Sequence, residues 1–369
     1  MKIHKVNVKT KDTKYPILIG NGAIKLLGKQ IRLVCPKTKK VALILDRNIP
    51  SEHKKRIKKQ LKNYYIYTKE FLPSENLKSF KHVNFLAENL LEKNFNRNDV
   101  IVAAGGGIIG DFAGFVASIL KRGVNFINLP STLLSQVDSS IGGKTGINSR
   151  RGKNLIGSFY QPKLVIAELS FLKSLPRREL ICGFGEILKY SLIRDQSFFK
   201  WLQKNSKNIL KGKNFTILKH AIVRSCKNKI YFISADEKET GKRMLLNFGH
   251  TFAHAIEAAS NFSKRINHGE AVLIGMLLAT KLSVKKRICS NLTLKEIEKV
   301  YKANNLPSAL IKYFQKKDFN KIINYMANDK KNNDNRINLI LLKKIGKTTN
   351  PGEIKMSLDQ MKTVIKKIS

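Results

Sequence analysis

Short apolar runs alternate with a stretch of helical spacing in the first half of the chain. The runs are Val41–Leu45, Val100–Ala104 and Phe126–Leu129, and Lys54–Leu61 has the spacing of an amphipathic helix. A strand buried on both faces needs apolar residues at every position, so these runs predict parallel strands. The order of strand, helix and strand therefore predicts an α/β domain with a parallel sheet over residues 1–171.

The apolar pattern changes from about Leu172 onward, where helical spacing dominates. The predicted helices are Arg178–Arg194, Phe215–Ile233, Met244–Ala259, Gly269–Lys286 and Leu294–Asn304. Ile337–Leu342 is the main strand-like exception. The pattern predicts an all-α domain over residues 172–369, and two domains suit a chain of 369 residues.

The segment from Ile101 to Leu120 is apolar enough to resemble a membrane span. It contains three successive glycines and Asp111, so a buried strand, a tight turn and a packed helix explain it better. The four cysteines are scattered without a CxxC pair, which favours free thiols in a reducing compartment. The first residues lack the apolar core of a signal peptide. We therefore expect a soluble, cytoplasmic protein with no membrane partner.

The formal net charge of +44 arises from 70 Lys and Arg against 26 Asp and Glu. Such a balance is typical of nucleic-acid-binding proteins when the cations form a stripe with interleaved aromatic residues. Here the lysines are spread along the whole chain among Asn and Ile, which is the pattern of solvated surfaces. We expect no nucleic-acid partner, although a basic surface would steer an anionic substrate inward.

A glycine-rich turn, Gly105-Gly106-Gly107-Ile108-Ile109-Gly110, follows the second predicted strand and matches G-x-G-x-x-G. Glycines let backbone N–H groups approach a pyrophosphate at a helix N-terminus. A common dinucleotide fold also has an acid about 20 residues later, but here the acid at a strand end is the earlier Asp46. The pattern thus indicates a dinucleotide site of a variant kind, or none.

A second glycine segment, Gly142-Gly143-Lys144-Thr145, resembles the end of a P-loop. The first glycine of that motif would have to stand at Asp138, so the motif is not satisfied. A nucleoside triphosphatase is therefore disfavoured.

Three of the seven histidines lie close together in the second half. His250 and His254 are four residues apart, on one face of a predicted helix, and His268 precedes the next helix. Two helical histidines alone are more often structural. With a third histidine and a candidate acid such as Glu186, they indicate a catalytic divalent-metal site, commonly zinc. Thr251 follows His250, so this is not the H-E-x-x-H motif.

Taken together, these motifs resemble those of the 3-dehydroquinate synthases from Asp46 to about Lys347. The most specific stretches are Gly105–Asp111, Pro130–Thr145, Gly152–Gly157 and Leu245–Thr251. The departures keep the functional groups: Ser131 stands where threonine is usual, while Ser74 and Ala253 stand where glycine is usual.

The resemblance implies an N-terminal NAD-binding α/β domain and a C-terminal metal-binding domain with one zinc or cobalt ion. The implied metal ligands are Glu186, His250 and His268. The implied NAD-site residues are Asp46, Glu75, Lys78, Gly105, Gly106, Gly107, Gly110, Asp111, Ser131, Thr132, Lys144 and Lys153. The implied catalytic and substrate-contacting residues are Arg122, Asp138, Lys144, Asn154, Lys189, Lys229, Arg243, Asn247 and His254, with either Lys330 or Lys331.

The implied activity is that of a carbon–oxygen lyase in the shikimate pathway of aromatic amino acid biosynthesis. It converts 3-deoxy-D-arabino-heptulosonate 7-phosphate to 3-dehydroquinate and phosphate. The route is transient oxidation by NAD, phosphate elimination, re-reduction and intramolecular aldol closure. In this picture His254 and Asn247 hold the phosphate, and Asp138 and Lys189 orient hydroxyls. Arg122 would reach into the neighbouring subunit, which implies a homodimer.

Three alternatives compete with this interpretation. A related cyclase acting on glucose 6-phosphate or sedoheptulose 7-phosphate would need no carboxylate clamp, whereas Lys229 and Arg243 suit a carboxylate. A metal-dependent polyol dehydrogenase would not be expected to carry Gly142–Thr145 or Gly152–Gly157. A nucleic-acid-binding protein would show clustered cations and binding that weakens steeply with salt.

Overall fold

A computed structural model describes residues 2–261, 263, 265–327 and 336–368, with only the backbone of residue 366. The chain divides into two compact units, Met1–Leu180 with Gly212–Glu237, and Ile181–Lys211 with Lys238–Ser369. These units differ from the two predicted domains, because the segment from Gly212 to Glu237 belongs with the first unit. The domain boundary between residues 171 and 172 stays a prediction.

The strands lie mainly in the first unit. They are β1 (His4–Lys9), β2 (Lys14–Gly20), β3 (Lys40–Asp46), β4 (Tyr65–Phe71), β5 (Val100–Gly105), β6 (Asn125–Pro130), β7 (Lys144–Ser149), β8 (Gly152–Phe159), β9 (Leu164–Glu168), β10 (Ile337–Leu339), β11 (Leu342–Lys344), β12 (Lys347–Thr348) and β13 (Ile354–Met356). Seven of them form one sheet in the order β1-β2-β9-β6-β5-β3-β4. The pair β1–β2 is antiparallel and the other neighbours are parallel, which confirms the predicted parallel sheet.

The helices are spread over both units. They are α1 (Leu27–Val34), α2 (Ser51–Gln60), α3 (Phe80–Glu92), α4 (Gly107–Ile119), α5 (Arg177–Arg194), α6 (Gln196–Lys211), α7 (Phe215–Ala235), α8 (His250–Ala259), α9 (His268–Lys285), α10 (Asn291–Asn304), α11 (Phe319–Ala327) and α12 (Leu358–Ile368). Among the described residues, no helix is long and apolar enough to cross a membrane.

The centre of the sheet is buried on both faces. Every position of β5 is buried, and β3 is buried from Val41 onward. Because successive side chains of a strand point to opposite faces, Leu43 and Leu45 of β3 join one apolar cluster while Ala42 and Ile44 join another. The continuous apolar runs of the sequence are explained by this two-sided burial.

The second unit is predominantly helical, as predicted. Two short antiparallel pairs, β10–β13 and β11–β12, accompany the helices and include the strand-like run that begins at Ile337. Helix α6 was not predicted from the sequence.

The predicted helix Met244–Ala259 is wrong at its start. A 3₁₀ turn covers Lys242–Asn247, and α8 begins only at His250. Between them Gly249 has φ of 78°, a left-handed conformation that interrupts a right-handed helix.

Candidate functional site

The glycine-rich turn joins β5 directly to α4. Gly105 ends the strand, Gly106 caps the helix, and Gly107 begins it. A Cβ added at Gly106 would lie 3.3 Å from Cγ2 of Thr132, and one at Gly107 would lie 3.0 Å from Oγ of Ser139. The turn thus brings glycine backbone, with no Cβ of its own, to the start of a 13-residue helix, which is the geometry of a phosphate site.

Asp46 lies beside this turn although it is far earlier in the sequence. The register pairs Leu45 of β3 with Ala104 of β5, so Asp46 and Gly105 end neighbouring strands at one edge of the sheet. The Asp46 carboxylate accepts the backbone N–H of Asn48 at 2.8 Å. Burial raises the pKa of Asp46, and hydrogen bonds from the backbone of Asn48 and Gly106 oppose that rise. The variant arrangement of acid and glycine turn is therefore formed.

The end of β6 borders the same turn. The backbone N–H of Ser131 donates to the carbonyl oxygen of Gly105 at 2.9 Å. The hydroxyl of Thr132 lies 2.8 Å from that of Ser135. Ser131 and Thr132 are thus held at the carboxyl edge of the sheet, where parallel α/β sheets bind ligands.

Lys144 begins β7 and lines a small cavity together with Gly110 of α4. The preceding glycines, Gly142 and Gly143, have φ of 98° and 69°. They lead into a strand, whereas a P-loop leads into a helix, so the rejection of the P-loop interpretation is supported.

Lys78, Asp111 and Asn154 form a compact cluster in the first unit. The Lys78 ammonium lies 2.6 Å from Oδ2 of Asp111 and also contacts Oδ1 of Asn154. Burial raises the pKa of Asp111, and the charge of Lys78 opposes that rise. Nearby, the Lys153 ammonium lies 2.7 Å from Oε1 of Glu75. Five residues predicted from the resemblance therefore form two adjacent ion-pair sites.

Asn148 joins these two pairs and was missed in the sequence. Its amide nitrogen donates to Oε2 of Glu75 at 2.8 Å, and its amide oxygen accepts the backbone N–H of Asn154 at 3.0 Å. Its own backbone N–H donates to the carbonyl oxygen of Lys78 at 2.9 Å. Asn148 lies between two of the family-like segments, and nothing in its spacing marks it.

Lys229 of α7 forms an ion pair with Asp138. Asp138 lies in a π-helical turn, Ser135–Ser139, which packs against α7. The Lys229 ammonium lies 2.6 Å from Oδ1 of Asp138 and 2.7 Å from its carbonyl oxygen. The structure thus brings together two residues that are 91 positions apart in the sequence.

The predicted metal ligands Glu186, His250 and His268 form one cluster in the second unit. Oε1 of Glu186 lies 3.5 Å from Nε2 of His250 and 3.9 Å from Nε2 of His268. One ligand atom from each residue lies within 4.8 Å of the others. A carboxylate and two imidazoles converging on one point are a donor set for a divalent ion with open coordination positions.

Glu186 is fully buried and poorly satisfied. Lys189, three residues later on α5, contacts it as an ion pair. Even so, neither oxygen of Glu186 has a hydrogen-bond partner of good geometry in the part of the chain that the structure describes. Because an unsatisfied buried carboxylate is costly, a divalent cation fits this position.

The ligand-bearing helices are packed backbone to backbone. A Cβ at Gly269 of α9 would lie 2.2 Å from Cα of Cys182 on α5, and one at Gly275 of α9 would lie 2.2 Å from the carbonyl oxygen of Gly249. The start of α9 is also fixed by a capping box between Asn267 and Glu270. His268 is therefore held at a defined helix end, close to α5 and α8.

Glu257, a second residue missed in the sequence, contacts the cluster. Its Oε2 lies 3.2 Å from Nδ1 of His268. Burial lowers the pKa of His268, but the carboxylates of Glu257 and Glu186 outweigh it and raise the pKa to about 9. Glu257 is seven residues after His250, two helical turns along one face, and this spacing was the available signal.

The remaining predicted residues are placed separately. The His254 ring lies 5.4 Å from the His250 ring, and Arg243 is buried in the 3₁₀ turn. The amide nitrogen of Asn247 donates to Glu239 at 2.8 Å. Arg122 is exposed, with φ of 62°. Lys330 and Lys331 lie outside the described residues.

Two family models together match most of the chain. The model described as 3-dehydroquinate synthase N-terminal matches residues 69–182, and the model described as 3-dehydroquinate synthase C-terminal matches residues 183–332.

Full-length relatives agree with the family models. A 3-dehydroquinate synthase from Pelagibacter ubique is 47% identical over 94% of each chain. One from Nitrobacter winogradskyi is 40% identical over 96% of this chain and 93% of the relative.

Solved structures share the fold at lower identity. A 2-deoxy-scyllo-inosose synthase complexed with carbaglucose-6-phosphate, NAD+ and Co2+ aligns with a TM-score of 0.87 and 24% identity, covering 99% of this chain and 100% of the other. A 2-epi-5-epi-valiolone synthase from Streptomyces hygroscopicus subsp. jinggangensis with NAD+ and Zn2+ bound aligns with a TM-score of 0.85 and 21% identity, covering 98% of each chain.

Proposed function

The chain belongs to the 3-dehydroquinate synthase family and is an enzyme of that activity, and we propose that it is an NAD- and divalent-metal-dependent carbon–oxygen lyase. Its substrate would be 3-deoxy-D-arabino-heptulosonate 7-phosphate, and its products 3-dehydroquinate and phosphate. The observation that supports the metal requirement is the convergence of His250 and His268 on Glu186, whose buried carboxylate oxygens lack hydrogen bonds.

The donor sets support one metal ion and one NAD. Glu186, His250 and His268 would hold zinc or cobalt, since imidazole and carboxylate suit both ions. The glycine turn at Gly105–Gly107 and the buried Asp46 at the adjacent strand end would hold the pyrophosphate and a ribose. Lys78, Glu75, Lys153, Ser131, Thr132, Lys144, Gly110 and Asp111 would complete the NAD site.

The reaction has no net redox change. When bound, NAD would accept a hydride and return it within each turnover, and the metal ion would polarise the hydroxyl that is oxidised. A ketone at the oxidised position would make the neighbouring C–H acidic, so that phosphate could be eliminated before re-reduction, ring opening and intramolecular aldol closure. The chain's own residues hold the two anionic ends of the substrate and orient its hydroxyls.

The cations and amides of the site suit a doubly anionic substrate. Lys229 and Arg243 would bind the carboxylate, because charge-assisted hydrogen bonds orient an anion most strongly. Lys229 already contacts Asp138, which fixes the position of its ammonium group. Asn247 and His254 would bind the phosphate, which can act as its own base. Asp138 and Lys189 would orient hydroxyls, and Asn154 would contact the substrate.

The proposal is tested by phosphate release from 3-deoxy-D-arabino-heptulosonate 7-phosphate with catalytic amounts of NAD. Release that exceeds the NAD supplied, and that a chelator abolishes, is the expected result. No release from this substrate, but release from glucose 6-phosphate or sedoheptulose 7-phosphate, would assign the chain to a different cyclase reaction.

Two matched variants locate the metal requirement. Glu186→Gln keeps the shape of the side chain and removes its charge, and should lower turnover at least about 100-fold, since a Lewis-acid contribution amounts to several kcal/mol. Glu296→Gln makes the same change at an exposed position of α10 and should leave turnover unchanged. Full activity in Glu186→Gln would exclude Glu186 as a ligand. Full turnover in His254→Ala would exclude the phosphate contact.

Homodimer formation and cytoplasmic location complete the proposal. The exposed side chain of Arg122 is available to enter a neighbouring subunit's site. All four cysteines are buried free thiols, which is typical of proteins in a reducing compartment such as the cytoplasm. Analytical ultracentrifugation tests the dimer, and a monomer at working concentrations would contradict it.

A further inference from the structure

We propose that Glu257 is a positioning residue that holds the His268 ring in the orientation and tautomer needed to bind the metal ion. This inference rests on the metal site proposed above. It adds a residue that acts through a ligand and does not itself touch the ion.

The two ring nitrogens of His268 face two different carboxylates. Oε2 of Glu257 lies 3.2 Å from Nδ1 of His268, and the Glu257 side chain is buried on α8. Nε2 of the same ring lies 3.9 Å from Oε1 of Glu186. A histidine that ligates an ion is neutral and carries one proton, so a carboxylate that accepts the Nδ1–H leaves the Nε2 lone pair to the ion.

His250 shows the same arrangement with a weaker acceptor. Its Nδ1 lies 3.3 Å from the carbonyl oxygen of Phe248, and its Nε2 lies 3.5 Å from Oε1 of Glu186. Both rings thus direct Nε2 towards Glu186. Glu257 is a charged acceptor and Phe248 a neutral one, so the contact to His268 should be the stronger of the two.

The backbone makes this contact rigid. Glu257 and His250 are two turns apart on α8, and α8 packs closely on α9 where Gly275 meets the carbonyl oxygen of Gly249. His268 is the first residue of α9 and is held by the Asn267 capping box. A carboxylate and a ring on two such helices can meet in few geometries, which is what an orienting contact requires.

A purely structural contact between α8 and α9 is the competing explanation, and metal affinity separates the two. Wild-type protein, Glu257→Ala, Glu257→Gln and the exposed control Glu296→Gln are stripped with chelator. Each is titrated with Zn2+ against a chromophoric chelator, and the visible absorption of the Co2+ form is recorded. Circular dichroism and thermal unfolding report on folding.

Glu257→Ala should bind zinc about 10–100-fold more weakly than wild type and change the Co2+ spectrum, as loss of such outer contacts generally does. Glu257→Gln should lie in between, because its amide oxygen still accepts the Nδ1–H. Glu296→Gln should match wild type. If Glu257→Ala does not fold, the comparison of Glu257→Gln with wild type decides.

Affinity and spectrum in Glu257→Gln and any folded Glu257→Ala that match wild type would overturn the inference. An equal loss in Glu296→Gln would also overturn it, since the effect would then be one of overall charge. Wild-type protein that binds neither ion would instead refute the proposed metal site.

Discussion

Replacing Gly249 by alanine should destabilise the second unit and disturb the metal site together. Gly249 has φ of 78° and immediately precedes the ligand His250. A Cβ at Gly249 would lie 2.7 Å from both the backbone nitrogen and Cγ of Met276, and 3.0 Å from its Cα. The Met276 side chain can rotate away, but its backbone atoms belong to α9 and can retreat only if that helix shifts.

Three contributions determine how far Gly249→Ala lowers the free energy of unfolding. A left-handed conformation costs a non-glycine residue about 1–2 kcal/mol. The lower entropy of the unfolded alanine chain offsets about 0.4–1 kcal/mol of this. Overpacking against a fixed neighbour adds about 1–3 kcal/mol. The net decrease in the free energy of unfolding is therefore about 3 kcal/mol.

Gly352 provides a matched control in the same unit. Its φ is 77°, and an added Cβ would meet nothing within 4 Å. Gly352→Ala therefore carries only the backbone contribution and should cost about 1 kcal/mol or less. Urea unfolding of the metal-free protein, followed by fluorescence of the single tryptophan, Trp201 on α6, reports on the second unit in both variants.

The two variants should also differ in zinc affinity, which should fall for Gly249→Ala and not for Gly352→Ala. If Gly249→Ala loses no more stability than Gly352→Ala, the contact with the Met276 backbone does not limit this position. The steric argument would then be wrong, whatever the effect on zinc binding.

Four further predictions concern the first unit, the thiols and the dimer. Lys78→Met should lower the free energy of unfolding by about 2–3 kcal/mol, because it leaves the Asp111 carboxylate without its ion-pair partner. The double variant Lys78→Met with Asp111→Leu should recover most of that loss, as measured by urea unfolding. Asn148→Ala should weaken NAD binding in calorimetry, because Glu75 and Asn154 lose their shared partner, and unchanged affinity would contradict this. Native protein should react slowly with a maleimide at about pH 8, where thiols are ordinarily reactive. Burial raises the pKa of Cys35 to about 11 and that of Cys226 to about 12, which keeps both thiols protonated. Unfolding in urea should restore the reaction. An equal mixture of Arg122→Ala and His268→Ala can be unfolded and refolded together to form mixed dimers. If Arg122 acts across a dimer, one site of each mixed dimer is intact and the mixture should recover about a quarter of wild-type activity. If Arg122 acts within its own subunit, no activity should return.

The central strands and the metal cluster could be predicted from the sequence because their signals are local. The fully apolar runs at Val41 and Val100 have one explanation in a buried parallel sheet, and β3 and β5 confirm it. The spacing of His250, His254 and His268 predicts three imidazoles near one helix pair, and the structure brings the candidate acid Glu186 together with His250 and His268.

The missed features depend on contacts between distant positions. Glu257 acquires its partner only because α9 returns beside α8, and Asn148 acquires its partners only when Glu75 and Asn154 fold around it. The break before α8 was missed because the apolar spacing continues through Gly249, whereas the left-handed φ there and the close approach of Met276 appear only in the structure. Helix periodicity does not contain that information.

The ligand-bearing helices α5, α8 and α9 approach one another closely at their glycines. Gly269 meets Cys182 and Gly275 meets Gly249, so the ligands' backbone positions are set by contacts within the chain and not by contacts to the ion. A cell short of metal should therefore accumulate folded, dormant enzyme and not a degraded pool. Resupply of the ion would restore flux within the time of binding, without new protein synthesis.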